Sequence, residues 1–270
     1  MGVQNGSCLF LLLLGIISGE VVWLRRVQSI WQSVLINGNA HIEICAEGPG
    51  VSVGSLWKLV DFWDDRIEKE IDYAYDLKWG YLNASPLLLG TGCKVYFWVH
   101  LPALSFVYGE ERILQWFQDN DDLMVKGLGN NGEVWAHVFE ISNRFTLGVM
   151  EWNMVKTMEV LRMRVSKWER QARLHFIHSP SRREHFCESM ANITQEIGRK
   201  DDNMEKGIFD FLSLWFFGEE EGIIEEREGL KYKEVEDLVY NWLLAGGRWR
   251  SRVEALKILG IWPRRILNHV

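Results

Sequence analysis

The stretch KWGYLNASPLLLGTGCKVYFWVHLPALS, residues 78–105, has the make-up of an active-site wall. A short strand leads into a turn of small residues, and an apolar strand follows with one cation, Lys94, near its start. Gly90 and Gly92 flank Thr91, so the backbone can turn sharply and approach a ligand without a Cβ in the way. Ser85 puts a hydroxyl before Pro86, as a turn residue or as a substrate contact. Lys94 and Lys126 read either as solvated side chains at strand ends or as contacts for an anion. His41 and His100 lie in strand-like apolar settings, where a hydrogen-bonded core histidine is the commoner outcome.

The elements that must position these groups belong to a chain of 270 residues, 47% apolar and 25% charged, long enough to bury a substantial core. A net charge of −7 and the lack of a long basic run argue against nucleic acid as a partner, since that binding rests on phosphate neutralisation. Cys8, Cys45, Cys93 and Cys187 lie far apart with no CxxC pair, which indicates neither a zinc site nor a disulfide framework and fits a reducing cytoplasm. The apolar run at residues 8–18 has no preceding Lys or Arg and is too short to span a bilayer. It reads as a buried strand or helix ahead of a signal-peptide core, and no membrane association is expected. Six basic residues between Arg248 and Arg265 form a solvated basic face or meet an acidic partner.

Residues 55–72 place Leu56, Leu59, Val60, Trp63, Ile67 and Ile71 on one helical face. Strands are expected at SVLING, WGYLN, CKVYFWVHL and EVWAHVFEIS. A second long helix follows, with Met150, Met154, Val155, Met158, Leu161, Val165, Trp168 and Ala172 as its apolar stripe; the methionines there read as core packing. Further helices are expected near residues 204–217, 233–244 and 251–259, with loops or linkers at SPSRREHFCE and GRKDDNMEK. Strands early and helices late predict an α+β domain in which an antiparallel sheet is flanked by helices, with a helical C-terminal part. Residues 55–72 and 148–175 are expected on the same face of that sheet.

Several separated pieces resemble one family. The segment EIDYAYDLKWGYLNASPLLLGTGCKVYFWVHLPALS, then VKGLGNNGE, then FEISNRFTLG before a long helix, is similar to the catalytic domain of the ATP:guanido phosphotransferases. That family includes arginine and creatine kinases and bacterial protein-arginine kinases, and the compact HLPAL looks like the bacterial protein-arginine branch. The resemblance is clearest over residues 34–175. It divides the chain into a divergent segment, 1–33, and a catalytic-like domain, 34–270, without room for the small helical domain that precedes the catalytic domain in family members. It implies in-line transfer of the γ-phosphoryl group of MgATP to a guanidinium nitrogen. Cations then surround the phosphates, and carboxylates orient the guanidinium and accept its proton.

The resemblance also shows what has changed. Where the family carries NEEDHLR, this chain reads Asn37, Gly38, Asn39, Ala40, His41, Ile42 and Glu43, so every acid of the motif is missing and Glu43 stands at the phosphate-binding arginine. The loop carboxylate expected after VRG falls at Asn131, with Glu133 two residues on as a substitute base. Lys94 and Lys126 replace the arginines of GTGLR and VRG, keeping charge but losing the bidentate fork. Ser85 stands at the family's cysteine. No SxRxR pair precedes the motif, and Arg25 and Arg26 are adjacent rather than alternate. The resemblance thus implies His41, Lys94 and Lys126 as nucleotide contacts, Ser85 as a substrate contact, Glu133 as the catalytic candidate and no protein-held metal.

Two readings follow. One is a guanido-kinase fold with a degenerate site, a pseudokinase or interaction module. The other is an active ATP-dependent kinase acting on arginine in proteins. By resemblance the partners are arginine-containing proteins or a proteolysis system that reads phosphoarginine.

Overall fold

The computed structural model describes residues 7–9, 20–27, 30–37, 40–199 and 204–223. They divide into two compact units. The first takes the chain up to Val99 together with Leu114–Val125 and Glu140–Ser166; the second takes His100–Ile113, Lys126–Phe139 and the residues from Lys167 onward.

The strands in chain order are β1 (Ser7–Leu9), β2 (Glu20–Val27), β3 (Ile30–Ile36), β4 (Ile42–Pro49), β5 (Tyr75–Asp76), β6 (Gly80–Tyr81), β7 (Tyr96–His100), β8 (Leu123–Gly127) and β9 (Val138–Asn143). A seven-stranded sheet runs in the order β2-β3-β4-β1-β7-β9-β8, and β5 and β6 form a separate small hairpin. The pairings β2/β3, β3/β4, β4/β1 and β1/β7 are all antiparallel. The β3/β4 register sets Ser33 against Cys45 and Trp31 against Glu47, so Glu43, Cys45 and Glu47 share one face and Ile44 and Ala46 the other. The fold is α+β, as the order of strands and helices predicts.

Helix α1 (Val53–Glu68) starts at Ser52, whose hydroxyl accepts the Ser55 amide at 3.2 Å. It lies on the Ile44/Ala46 face of the sheet: Val53 and Leu56 are buried, and the Trp63 indole donates to Gln32 Oε1 at 3.0 Å. The Val53 amide donates to Glu159 of α4 (Glu151–Ile177) at 2.8 Å, so the two long helices expected from periodicity meet. The first helix stops at Glu68, short of residue 72, and Ile71 is exposed.

The second unit carries α2 (Pro102–Tyr108), the start of α3 (Glu110–Gln118), the end of α4, α5 (Pro180–Arg199) and α6 (Met204–Glu220). Phe106, Phe176, Phe186 and Phe217 pack together with centroids 5.3–5.9 Å apart, edge to face except for the tilted Phe106–Phe186 pair. The buried Glu169 carboxylate accepts the Ala103 and Leu104 amides at 3.1 and 3.0 Å, capping α2 in the HLPAL segment, and pairs with Arg173 at 2.9 Å.

Two expectations of element type are corrected. The segment SPSRREHFCE is helix from Pro180 onward: Ser179 accepts the Arg182 and Arg183 amides through its carbonyl, and proline suits a first helical position because its missing N–H is not needed there. EVWAHVFEIS is not one strand, because Ala136 and His137 are both left-handed, at φ 55° and 54°, and pairing begins at Val138. Strands β2, β4 and β8 and helices α2 and α3 join the elements anticipated. The helices expected near residues 233–244 and 251–259, and the basic C-terminal face, lie outside the described residues.

Candidate functional site

In the first unit the loop from Ser85 to Lys94 is held by backbone and by two side chains, one at the end of β9 and one just after it. The Ser85 amide donates to Asn83 Oδ1 at 2.9 Å, and Pro86–Leu88 makes one 3-10 turn. The Thr146 hydroxyl donates to the Leu89 carbonyl at 2.7 Å, with the Leu87 carbonyl at 3.2 Å, and its own carbonyl accepts the Thr91 amide at 3.2 Å. Gly90 sits at φ 106°; a Cβ there would lie 2.7 Å from Leu147 Cα and from the Thr146 carbonyl oxygen. Only glycine fits. Asn143 closes the far end, accepting the Val95 amide at 2.7 Å and donating to the Phe145 carbonyl at 3.1 Å. The retained turn therefore has its shape, and Lys94 projects from it as an exposed residue.

The face of β4 bearing Glu43, Cys45 and Glu47 has a different character. Glu43 Oε1 accepts the Ala40 amide at 3.2 Å, while Glu43 Oε2 and Glu47 Oε2 are buried without a hydrogen-bond partner among the described residues. Burial pushes the Glu47 carboxyl up to about 7. The Cys45 thiol is raised by burial first and then by Glu47. Burial also raises the neighbouring Tyr96 phenol, with Cys45, Glu140, Glu47 and Glu43 adding to the shift. This wall disfavours added negative charge. His41 is exposed in the turn before β4, its carbonyl accepting the Asn37 amide at 3.0 Å, and so is not the core histidine expected there. Gly38 and Asn39 lie outside the described residues.

In the second unit the loop after β8 doubles back tightly. A Cβ on Gly127 would fall 1.9 Å from the Glu133 carbonyl oxygen, and one on Gly129 2.4 Å from the Trp135 indole nitrogen. Lys126 is exposed, and Asn131 is left-handed at φ 56°, a conformation that asparagine tolerates better than a longer side chain. Glu133, also exposed, accepts the Trp135 indole N–H at 3.1 Å, so its carboxylate is tied to the base of its own loop. Among the predicted site residues, Ser85 and Lys94 share one loop and Lys126 and Glu133 another, while His41 sits on the β3–β4 turn.

His100 is a buried structural histidine. Its Nε2 lies 2.7 Å from Ser213 Oγ, and His137 Nδ1 lies 2.8 Å from the same hydroxyl. Ser213 bridges two imidazoles with one proton, so it donates to one ring and accepts from the other. Asp210, one turn away on α6, accepts the Ala136 amide at 2.7 Å and pairs with Lys206. These α6 side chains hold the strained Ala136–His137 pair in place. Asn143, Thr146, Glu169, Asp210 and Ser213 were not singled out from sequence; the FEISNRFT segment, with Asn143 and Thr146, carried the available signal.

The family described as ATP:guanido phosphotransferase, C-terminal catalytic domain, matches residues 16–172, more than half of the chain. The chain belongs to this family. Curated relatives include protein-arginine kinases from Halothermothrix orenii, 32% identical over 57% of this chain and 44% of the relative, and from Halalkalibacterium halodurans, 35% identical over 58% and 44%. A protein-arginine kinase from Staphylococcus saprophyticus is 26% identical over 83% of this chain and 63% of its own length. The chain thus spans less than half the length of the first of these guanido phosphotransferases. Solved structures with similarity include lombricine kinase, 24% identical over 52% of this chain and 41% of that one with a TM-score of 0.44, and a substrate-free duplicated taurocyamine kinase from Schistosoma mansoni, 20% identical over 53% and 19% with a TM-score of 0.43.

Among the described residues no group of three or more His, Cys, Asp or Glu is arranged to hold a metal, and no helix is long and apolar enough to cross a membrane. The family's chemistry involves nucleotide phosphates, and the residues present fit them poorly. Lys94 and Lys126 are exposed on their loops, and Glu43 Oε2 is buried with no hydrogen-bond partner among the described residues.

Proposed function

We propose that this guanido phosphotransferase domain is degenerate in its active site and serves as a pseudokinase or interaction module. The observation that carries the reading is the Glu43 carboxylate, half held by the Ala40 amide and half without a partner, at the position where phosphate needs an arginine. Asn131 in place of the loop carboxylate supports it. The partners on this reading are arginine-containing proteins or a phosphoarginine-reading proteolysis system in the cytoplasm. Calorimetry with MgATP at millimolar concentration is expected to give no saturable heat, and a micromolar dissociation constant would overturn the proposal.

The second reading, an active kinase for arginine in proteins, is favoured by the names of the curated relatives and by Glu133, held by Trp135 beside the Lys126 loop. It requires acid-labile phosphoarginine made from labelled ATP by the unmodified chain and abolished by Glu133→Gln.

A further inference from the structure

Helix α4 carries large apolar residues on two opposite sides. In the part that belongs to the first unit, one side packs on the core: Met154, Val155, Met158 and Val165 are buried. At about 100° per residue, the other side lines up Trp152, Lys156, Val160 and Met163, at steps of four, four and three. Trp152, Val160 and Met163 are 55%, 40% and 52% exposed. A surface helix keeps its apolar stripe towards the core and polar residues opposite. Single exposed apolar side chains are ordinary, but a line of them along one helix marks a surface built to be covered.

The exposed charge beside that line has one sign. Lys156 and Arg164 are exposed, and the Lys156 ammonium lies over the Trp152 ring at 5.4 Å, which holds it within the line. The acids of the same part of α4 are withdrawn. Glu151 is partly buried, and Glu159, at the edge of the line, accepts the Val53 amide at 2.8 Å and pairs with Arg162 at 2.6 Å. Further along the helix Lys167 and Arg170 are exposed too, whereas Glu169 is buried. A chain with a net charge of −7 therefore presents one helix side whose exposed charges are all positive.

We propose that this side of α4 docks the acidic, apolar face of an amphipathic helix on another protein. Steps of four and three are those of a helix seam, so a partner helix laid along α4 can pack between Trp152, Val160 and Met163 while its carboxylates reach Lys156 and Arg164. From Trp152 to Arg164 the line runs about 18 Å, enough for three turns of the partner. A second copy of this chain fits less well, because a two-fold pairing sets the line against itself and supplies no exposed acid for either base. An anionic bilayer also fits less well. An interfacial helix keeps its bases on the side away from its apolar residues, and here Lys156 stands between Trp152 and Val160. The face takes no residue from the motif positions, so it goes beyond the reading of the site and holds whether or not phosphoryl transfer survives.

The test is fluorescence anisotropy of a labelled helical peptide, three repeats of Glu-Ile-Ala-Ala-Leu-Glu-Glu, titrated with the full chain. A dissociation constant on the order of 100 μM is expected at low ionic strength. The same peptide with lysine for every glutamate, or with serine for every isoleucine and leucine, is expected to bind at least about five-fold more weakly. Lys156→Glu combined with Arg164→Glu should weaken the acidic peptide about ten-fold and Met163→Gln about three-fold, whereas Lys69→Glu, at an exposed base on the end of α1, leaves it unchanged. All these positions are exposed, and circular dichroism checks that each variant is folded. Absence of saturable binding overturns the proposal, as does equal affinity for either control peptide or a loss of binding through Lys69→Glu rather than through the α4 variants. Sedimentation of the full chain alone as a dimer that Met163→Gln disperses would give the face to a second copy instead. Binding to phosphatidylglycerol vesicles that the double charge reversal abolishes, without binding of the acidic peptide, would give it to a bilayer.

Discussion

Glu47 and the His100–Ser213–His137 bridge show single residues whose charge state is set by burial. The Glu47 carboxyl titrates near 7 in the folded chain against about 4.5 when exposed, so the folded state binds more protons between those values and loses stability as pH rises through 7. Glu47→Gln is accordingly expected to gain stability over the parent at pH 8.5, by on the order of 1 kcal/mol after allowance for solvent screening, and little at pH 5, read by urea unfolding. The histidines work in the opposite sense. Burial holds His137 down to about 4, with Asp210 raising and Lys206 lowering it, and holds His100 well below its ordinary value, with Arg173 and His137 adding to the depression. The unfolded chain takes up these protons near 6.5, so the second unit should lose stability as pH falls from 6.5 towards 4. Glu110, 3.9 Å from His137 Nε2, is raised to about 7 mainly by burial and opposes that loss by holding a proton in the folded state. Glu110→Gln should therefore steepen the decline between pH 6.5 and 4.5, and an unchanged slope would contradict this assignment.

At the scale of elements, the 85–94 loop is held in shape by Thr146, Asn143 and the fit of Gly90. Gly90→Ala places a methyl against the Leu147 and Thr146 backbone at a left-handed position, with an expected cost of about 2–4 kcal/mol. Thr146→Val leaves the Leu89 carbonyl without its donor, for about 1–2 kcal/mol. Thermal unfolding of the two variants checks the order; if Gly90→Ala were neutral, the turn would not be held as described. Asn131 makes a related point, since a glutamate put back at φ 56° meets backbone strain of about 1 kcal/mol before it can orient anything.

For the whole molecule, the expectation is that repair must be done as a set. Asn39→Glu with Asn131→Glu should give no phosphoarginine while Glu43 remains. Carboxylates contribute about two to four powers of ten in rate only once nucleotide is seated, and each missing charge-assisted bond to phosphate costs roughly 1.5–3 kcal/mol. Adding Glu43→Arg, Lys94→Arg and Lys126→Arg is the minimum further change. Detection of acid-labile phosphate on arginine with the two glutamates alone would show that Glu43 is no obstacle.

The sequence by itself determined the α+β class, the family and two long helices, expected over 55–72 and 148–175, because periodicity, glycine spacing and motif residues are local in the chain. What only the tertiary structure decided depends on partners far apart in sequence. Ala136 and His137 adopt left-handed backbone, which neither residue type announces, because Asp210 and Ser213 hold them from more than seventy residues away. Glu169 became a helix cap and Glu47 a raised carboxyl through burial, which composition cannot locate. SPSRREHFCE has the polarity of a loop, but Phe186 docks among Phe106, Phe176 and Phe217 and makes it helix.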